Sequence, residues 1–227
     1  MWKTFANNGL PADVFSPDVS TLMYDHNAML DYPFISGHFA RNPIIESNGD
    51  LNVFSLVREP VEHYLSIAAY VSKSAGKKMS NDYMDEFLYG NITPFGVNEL
   101  FSNSGNIQSK MLFCRITFVD KSLVALSNDD VQNENNVVFV EADIPSEEKI
   151  KDSISSMNLF AMKDRSIAIE WLRGMVFKSH GFTLDGTVYD TVNSSEKNGF
   201  TPDISHVREI EKRSEVDDYL YRLVLEK

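Results

Sequence analysis

Between residues 51 and 70 the chain reads LNVFSLVREPVEHYLSIAAY, and the spacing of its apolar positions changes partway along. Val53, Phe54, Leu56 and Val57 fall in a run too short for a helix and rich in β-formers, so residues 51–57 are expected as a buried strand. Pro60 suits a first helical turn, where its missing N–H would be unpaired anyway. From there Val61, Tyr64, Leu65, Ala68 and Val71 recur at helical spacing as one apolar stripe. Arg58 is thereby expected at the carboxyl end of a strand, beside a helix N-terminus. In open α/β sheets that corner attracts anions, because free N–H groups and the helix dipole favour negative charge. Ser66 falls roughly 140° from Val61 around the helix, off the core stripe, with its hydroxyl available to help Arg58 hold a phosphate.

The rest of the chain follows the same two periods. Residues 1–8 read as a short helix stopped by Gly9 and Pro11, and residues 10–29 as mixed and turn-rich. A helix is expected over 80–89, capped by Ser80 or Asn81, followed by a loop over 91–104 and a helix over 106–112. Residues 126–136 form a polar insert without periodicity, and 137–140 a short apolar strand. A helix over 146–157 carries Glu147 and Glu148 in its first turn, and 159–162 reads as the next strand. Asp164 then opens a helix with Ala168, Trp171, Leu172, Met175 and Val176 as its core stripe, Trp171 serving as packing. After a glycine-containing loop over 180–201, Ser214 to Asp217 read as a capping box for a final helix burying Val216, Tyr219, Leu220, Leu223 and Val224. No repeat, low-complexity tract or linker interrupts the chain, so residues 1–227 are read as one domain.

Composition narrows the function classes. The 43% hydrophobic and 24% charged content is ordinary for a globular protein with a sizeable core. A formal charge of −12 argues against nucleic acid, against an anionic membrane surface and, less strongly, against a polyanionic glycan. The single cysteine, Cys114, excludes an internal disulfide and a cysteine-based zinc site. Its apolar setting, LFCRITF, fits a buried inert thiol. Asp25-His26 has no partner at metal-ligand spacing, so no metal is expected. No apolar run approaches the ~20 residues of a membrane span and no signal peptide opens the chain, so a cytoplasmic location is expected. Residues 73–78, KSAGKK, are the one local positive cluster, either bordering an anionic cofactor or simply solvated.

The stretch Phe54-Ser55-Leu56-Val57-Arg58-Glu59-Pro60-Val61-Glu62-His63-Tyr64-Leu65-Ser66 resembles the 3′-phosphate-binding segment of sulfotransferases of the carbohydrate type, the heparan and chondroitin O-sulfotransferases and their bacterial relatives. That pattern is a hydrophobic strand, Arg-(Asp/Glu)-Pro, and a Ser eight positions after the Arg; His63 departs from it where an Arg is common. Gly37-His38-Phe39 resembles the family's Gly-His-(Phe/Val) segment, which closes a strand just before the Arg-x-Pro strand. Asn106-Ile107-Gln108-Ser109-Lys110-Met111-Leu112 is similar to the Asn-x-Gln-(Ser/Thr)-(Arg/Lys) helix near the acceptor cleft, and Asp217-Asp218-Tyr219-Leu220-Tyr221 to the terminal helix. The family's phosphate loop, of the Pro-Lys-x-(Ala/Gly)-Gly-Thr-(Ser/Thr) type, has no counterpart. Trp2-Lys3-Thr4-Phe5 looks like the helix that would follow it, as though the chain starts just past the loop.

The resemblance implies a P-loop-NTPase-like three-layer α/β domain, with a mainly parallel sheet flanked by helices. It implies transfer of a sulfuryl group from 3′-phosphoadenosine 5′-phosphosulfate to a hydroxyl of a saccharide or small-molecule acceptor. In that scheme His38 is the general base, a role within reach of an imidazole near neutral pH. Arg58 and Ser66 bind the 3′-phosphate, while Asn106, Gln108 and Lys110 orient the acceptor or, on the residues alone, cap and solvate their helix. Arg41 either assists with sulfate or is plain surface, and Asn193-Ser194-Ser195 echo a nucleotide-contacting loop. Two other classes stand beside this one: a non-catalytic sulfotransferase-like binding module, and another nucleotide-dependent transferase. The latter lacks a Walker loop and a clear Mg²⁺-binding carboxylate set. The oligomeric state is not legible in the sequence.

Overall fold

The computed structural model describes residues 14–15, 34–35, 52–89, 105–113, 116–120, 137–141, 146–180 and 200–227. In chain order the strands and helices are β1 (Val14–Phe15), β2 (Phe34–Ile35), β3 (Val53–Val57), α1 (Pro60–Ser74), α2 (Asn81–Tyr89), α3 (Ile107–Phe113), β4 (Ile116–Asp120), β5 (Val137–Glu141), α4 (Glu147–Ile154), β6 (Met157–Ala161), α5 (Arg165–His180), α6 (Ile204–Arg213) and α7 (Glu215–Leu225). The described part is mixed α/β and mostly helical. Its strands form three pairs: β1 with β2 and β3 with β6, both parallel, and β4 with β5, antiparallel. The expected 1–8 helix, His26, His38, Arg41, Cys114 and the 91–104, 126–136 and 191–195 segments lie outside the described residues. The chain divides into two compact units, one comprising residues 1–57 and 151–193, the other residues 58–150 and 194–227.

In the first unit, β3 and β6 run in register from Val53 beside Met157 to Val57 beside Ala161. Val53, Val57, Met157, Leu159 and Ala161 share one face of this ladder and are buried, as the apolar run of a parallel strand requires. On the other face Phe54 lies stacked on Trp171 of α5 at 5.7 Å between ring centroids, with Phe160 tilted 5.8 Å from Phe54 and 5.9 Å from Trp171. Trp171 is thus a packing residue, as expected. The Asn158 side chain donates to the Val53 carbonyl at 3.2 Å. The strand expected over 159–162 begins two residues earlier, and Met162 to Asp164 form a 3₁₀ turn before α5.

The second unit is built on helices. α1 packs on α2, α6 and α7, α6 packs also on α2 and α7, and α3 packs on α7. Tyr64, Leu65, Ala68, Tyr83, Met84, Phe87, Leu88, Ile107, Ile210, Leu220 and Val224 are buried there. Gly76, at a φ of 66°, ends α1 in a Schellman motif: Lys77 N–H donates to the Ser72 carbonyl at 2.8 Å and Gly76 N–H to that of Lys73 at 3.1 Å. Lys77 of the KSAGKK loop pairs with Glu86 at 2.9 Å. Ser80, rather than Asn81, caps α2, its Oγ accepting from Tyr83 N–H at 3.1 Å.

α6 was not expected. Its apolar positions are few, and its burial rests on Ile210 and on His206, whose Nε2 lies 2.8 Å from an Asp85 carboxylate oxygen. The capping box expected at Ser214 is also absent. No side chain of the segment caps α7, because the acceptor comes from elsewhere in the unit.

Candidate functional site

Strand β3 ends at Val57, so the backbone of Arg58 has left the β3–β6 ladder and needs other partners. It finds both in one side chain. The Arg58 N–H donates to Gln108 Oε1 at 2.8 Å, and Gln108 Nε2 donates to the Arg58 carbonyl at 2.8 Å. The primary amide thus behaves as a peptide group of a neighbouring strand would. The Arg58 side chain is half-buried, and no carboxylate among the described residues pairs with it.

The helix N-terminus beside Arg58 differs from the expectation. Its amides are not free. The Glu59 carboxylate accepts from Val61 N–H at 3.1 Å and Glu62 N–H at 2.7 Å, its carbonyl accepts from His63 N–H at 2.9 Å, and Pro60 has no N–H. The acidic residue of Arg-Glu-Pro therefore fills the position an anion would take at a bare helix terminus. Any anion at this corner must be held by side chains. Ser66 stands half-buried on the second turn of α1.

Gln108 is itself locked in place. The Asp217 carboxylate accepts from Gln108 N–H at 3.0 Å and Ser109 N–H at 2.7 Å, capping α3. Asn106 returns the favour: its Oδ1 accepts from Val216 N–H at 2.9 Å and Asp217 N–H at 3.2 Å, capping α7. The two helices cap each other across about 110 residues of sequence. The turn that permits this is left-handed, with φ of 69° at Gly105 and 51° at Asn106, and Asn106 N–H donates to the Arg213 carbonyl at 3.0 Å. Arg213 in turn reaches the Leu88 carbonyl at the end of α2 at 2.8 Å, pairs with Glu209 at 2.7 Å and lies over the Tyr89 ring.

Asp217 is fully buried, and burial pushes its carboxyl above the usual range against the pull of its Ser109 and Gln108 hydrogen bonds and the Lys110 charge. The Ser109 hydroxyl neighbours it outside hydrogen-bond geometry. Tyr64 is likewise buried, and desolvation first, then the nearby Asp217 charge, holds its phenol well above its ordinary value. The Tyr64 and Ser214 hydroxyls are adjacent, again without hydrogen-bond geometry. A polar layer therefore runs through the apolar core of the helical unit, and Gln108 joins it to Arg58.

The structure thus brings Arg58 and Gln108 into direct contact and sets Asn106 two residues further along the same assembly. Asn106 and Gln108 are 9% and 7% exposed and bound to backbone, and Lys110 is fully buried. None of the three presents its polar group at an exposed surface. Asp217, Glu59 and Gly105 were not singled out as site residues in the sequence. For Asp217 a signal exists: it sits on the same helical face as Leu220 and Val224, an acidic residue in an apolar stripe. Among the described residues no three His, Cys, Asp or Glu side chains converge as metal ligands would. No helix among them is long and apolar enough to cross a membrane. Comparison with family models, curated proteins and solved structures gave no match.

Proposed function

We propose that this chain binds the 3′-phosphate of 3′-phosphoadenosine 5′-phosphosulfate through Arg58 and Ser66 and transfers the sulfuryl group to a hydroxyl, within a P-loop-like α/β fold. The observation that carries the reading is the pairing of the Arg-Glu-Pro corner with the Asn-x-Gln helix. Two segments that separately resemble sulfotransferase motifs, 50 residues apart, meet through two 2.8 Å hydrogen bonds. The parallel pairing of the strand before Arg58 with a later strand followed by a helix also supports it. In this scheme the half-buried guanidinium of Arg58, with no carboxylate partner among the described residues, offers two parallel N–H donors to a phosphate. His38 takes the proton of the acceptor hydroxyl as the S–O bond to acceptor forms and the bond to the leaving 5′-phosphate breaks. The strong negative charge of the chain favours a neutral saccharide or small molecule as acceptor.

Calorimetric titration with 3′,5′-adenosine bisphosphate tests this reading. Binding to the unaltered chain that weakens about tenfold or more in Arg58→Ala is the expected result. No binding, or equal binding by both proteins, overturns it.

The burial of Asn106, Gln108 and Lys110 favours a second reading, a non-catalytic module that keeps the nucleotide corner without an acceptor site on α3. Bisphosphate binding without sulfuryl transfer to any of a panel of hydroxyl acceptors would select it.

A further inference from the structure

The backbone of Arg58 is fixed by a single side chain, that of Gln108. Gln108 supplies both the acceptor for the Arg58 N–H and the donor for its carbonyl, replacing the ladder partner that β3 loses after Val57. An amide making both bonds holds the two peptide groups that flank the Arg58 Cα, and hence the direction in which the side chain leaves the chain. Gln108 has that orientation because its own N–H is held by Asp217, on a helix end that Asn106 locks from the other side. A continuous relay runs from the buried carboxylate of Asp217 through the first turn of α3 and the Gln108 amide to Arg58.

We infer that Gln108 is a positioning residue for phosphate recognition by Arg58, and that Asp217 seats it. The inference rests on the reading of Arg58 as the 3′-phosphate ligand. Bidentate guanidinium recognition depends on the plane presented to the anion, so a fixed stem raises affinity by removing orientations that do not bind. The 3′-phosphate, rather than the adenine or the 5′-phosphate, is the part of the ligand that Gln108 controls.

The test compares Gln108→Met, which keeps the length of the side chain and removes both hydrogen bonds, with Arg58→Ala and the unaltered chain. Each is titrated with 3′,5′-adenosine bisphosphate and with adenosine 5′-phosphate, which lacks the controlled group. Gln108→Met should weaken the bisphosphate about tenfold and leave the monophosphate unchanged. Backbone exchange supplies a readout without ligand: the Arg58 amide should lose protection in Gln108→Met while the His63 amide, held by Glu59, keeps it. Gln108→Glu retains the acceptor for the Arg58 N–H and should restore that protection.

Unaltered bisphosphate affinity in Gln108→Met, alongside its loss in Arg58→Ala, overturns the positioning role and leaves the phosphate reading standing. Equal weakening of both nucleotides, with loss of helical signal, assigns Gln108 a general structural role and also overturns it. If Arg58→Ala binds like the unaltered chain, or the unaltered chain does not bind, the phosphate reading falls and the inference with it.

Discussion

Two kinds of helix start stand side by side in the helical unit. α1 is capped by the residue immediately before it: Glu59 reaches the amides of Val61 and Glu62, two and three positions ahead. α3 and α7 are capped by each other, Asp217 serving Gln108 and Ser109 while Asn106 serves Val216 and Asp217. A local cap stabilises one helix and makes no demand on the fold. A reciprocal cap can form only when both helices are already in place, so it couples two segments far apart in sequence into one cooperative element. Arg58 lies between the two kinds, with a local cap on its C-terminal side and the reciprocal pair holding its backbone through Gln108.

The reciprocal start should be the more fragile, and the largest effect is expected where its geometry leaves no slack. A Cβ at Gly105 would fall 1.8 Å from the Arg213 carbonyl oxygen, on a residue whose φ is +69°. Neither the backbone contact nor the left-handed conformation can be relieved by a side-chain rotation, so Gly105→Ala should cost about 3 kcal/mol or more. Urea unfolding followed by circular dichroism would measure it, and a loss below about 1 kcal/mol would show that the turn yields.

Asp217→Ala comes next. It leaves two amides orphaned in a buried site and should cost about 2–4 kcal/mol by the same assay. Asp217→Asn keeps one acceptor and removes the buried charge, so its loss should be smaller at neutral pH. The pH dependence has a definite sign. Burial raises the folded-state value of Asp217 above its ordinary 3.8, so the folded chain binds this proton more tightly than the unfolded one. The stabilisation from protonation is complete below 3.8 and is lost as pH rises through the raised value. Asp217→Asn has no such term. Its stability should therefore fall further behind the unaltered protein as pH drops from neutral toward 4, and a gap that narrows instead would mean that the hydrogen bonds and Lys110 outweigh burial.

The same contrast separates what the sequence revealed from what it withheld. β3, α1 and α2 follow from local signals: an apolar run, Pro60 at a first turn, Ser80 at a cap. The Arg-Glu-Pro corner was legible for the same reason, although the carboxylate that closes its amides was not anticipated. Ser214 through Asp217 looked like a capping box, yet the cap is Asn106, and no local rule announces an acceptor about 110 residues away. Asn106 and Gln108 stood out by their resemblance to a motif and were read either as orienting an acceptor or as capping and solvating their own helix. Their hydrogen bonds go to the backbone of α7 and of Arg58, partners that depend on tertiary placement alone. α6 was missed because only Ile204, Val207 and Ile210 are apolar among its ten residues and its buried face includes His206, so an amphipathic helix reads in the sequence as a polar stretch.

The smallest effect belongs to the local cap, and it sharpens the functional side of the comparison. Glu59→Ala should destabilise the protein by only about 1 kcal/mol, since water can reach the amides it leaves. Glu59→Gln keeps an acceptor for the first turn and removes a negative charge one residue from Arg58. If Arg58 holds a phosphate, that carboxylate opposes the incoming anion through a partly screened interaction. Bisphosphate affinity should then rise a few-fold in Glu59→Gln, more at low ionic strength than at high, while Tm changes little. A fall in affinity would mean that Glu59 acts mainly by holding the first turn of α1, with its charge too well solvated to matter to the ligand. An affinity indifferent to both charge and salt would place the anion away from this corner altogether.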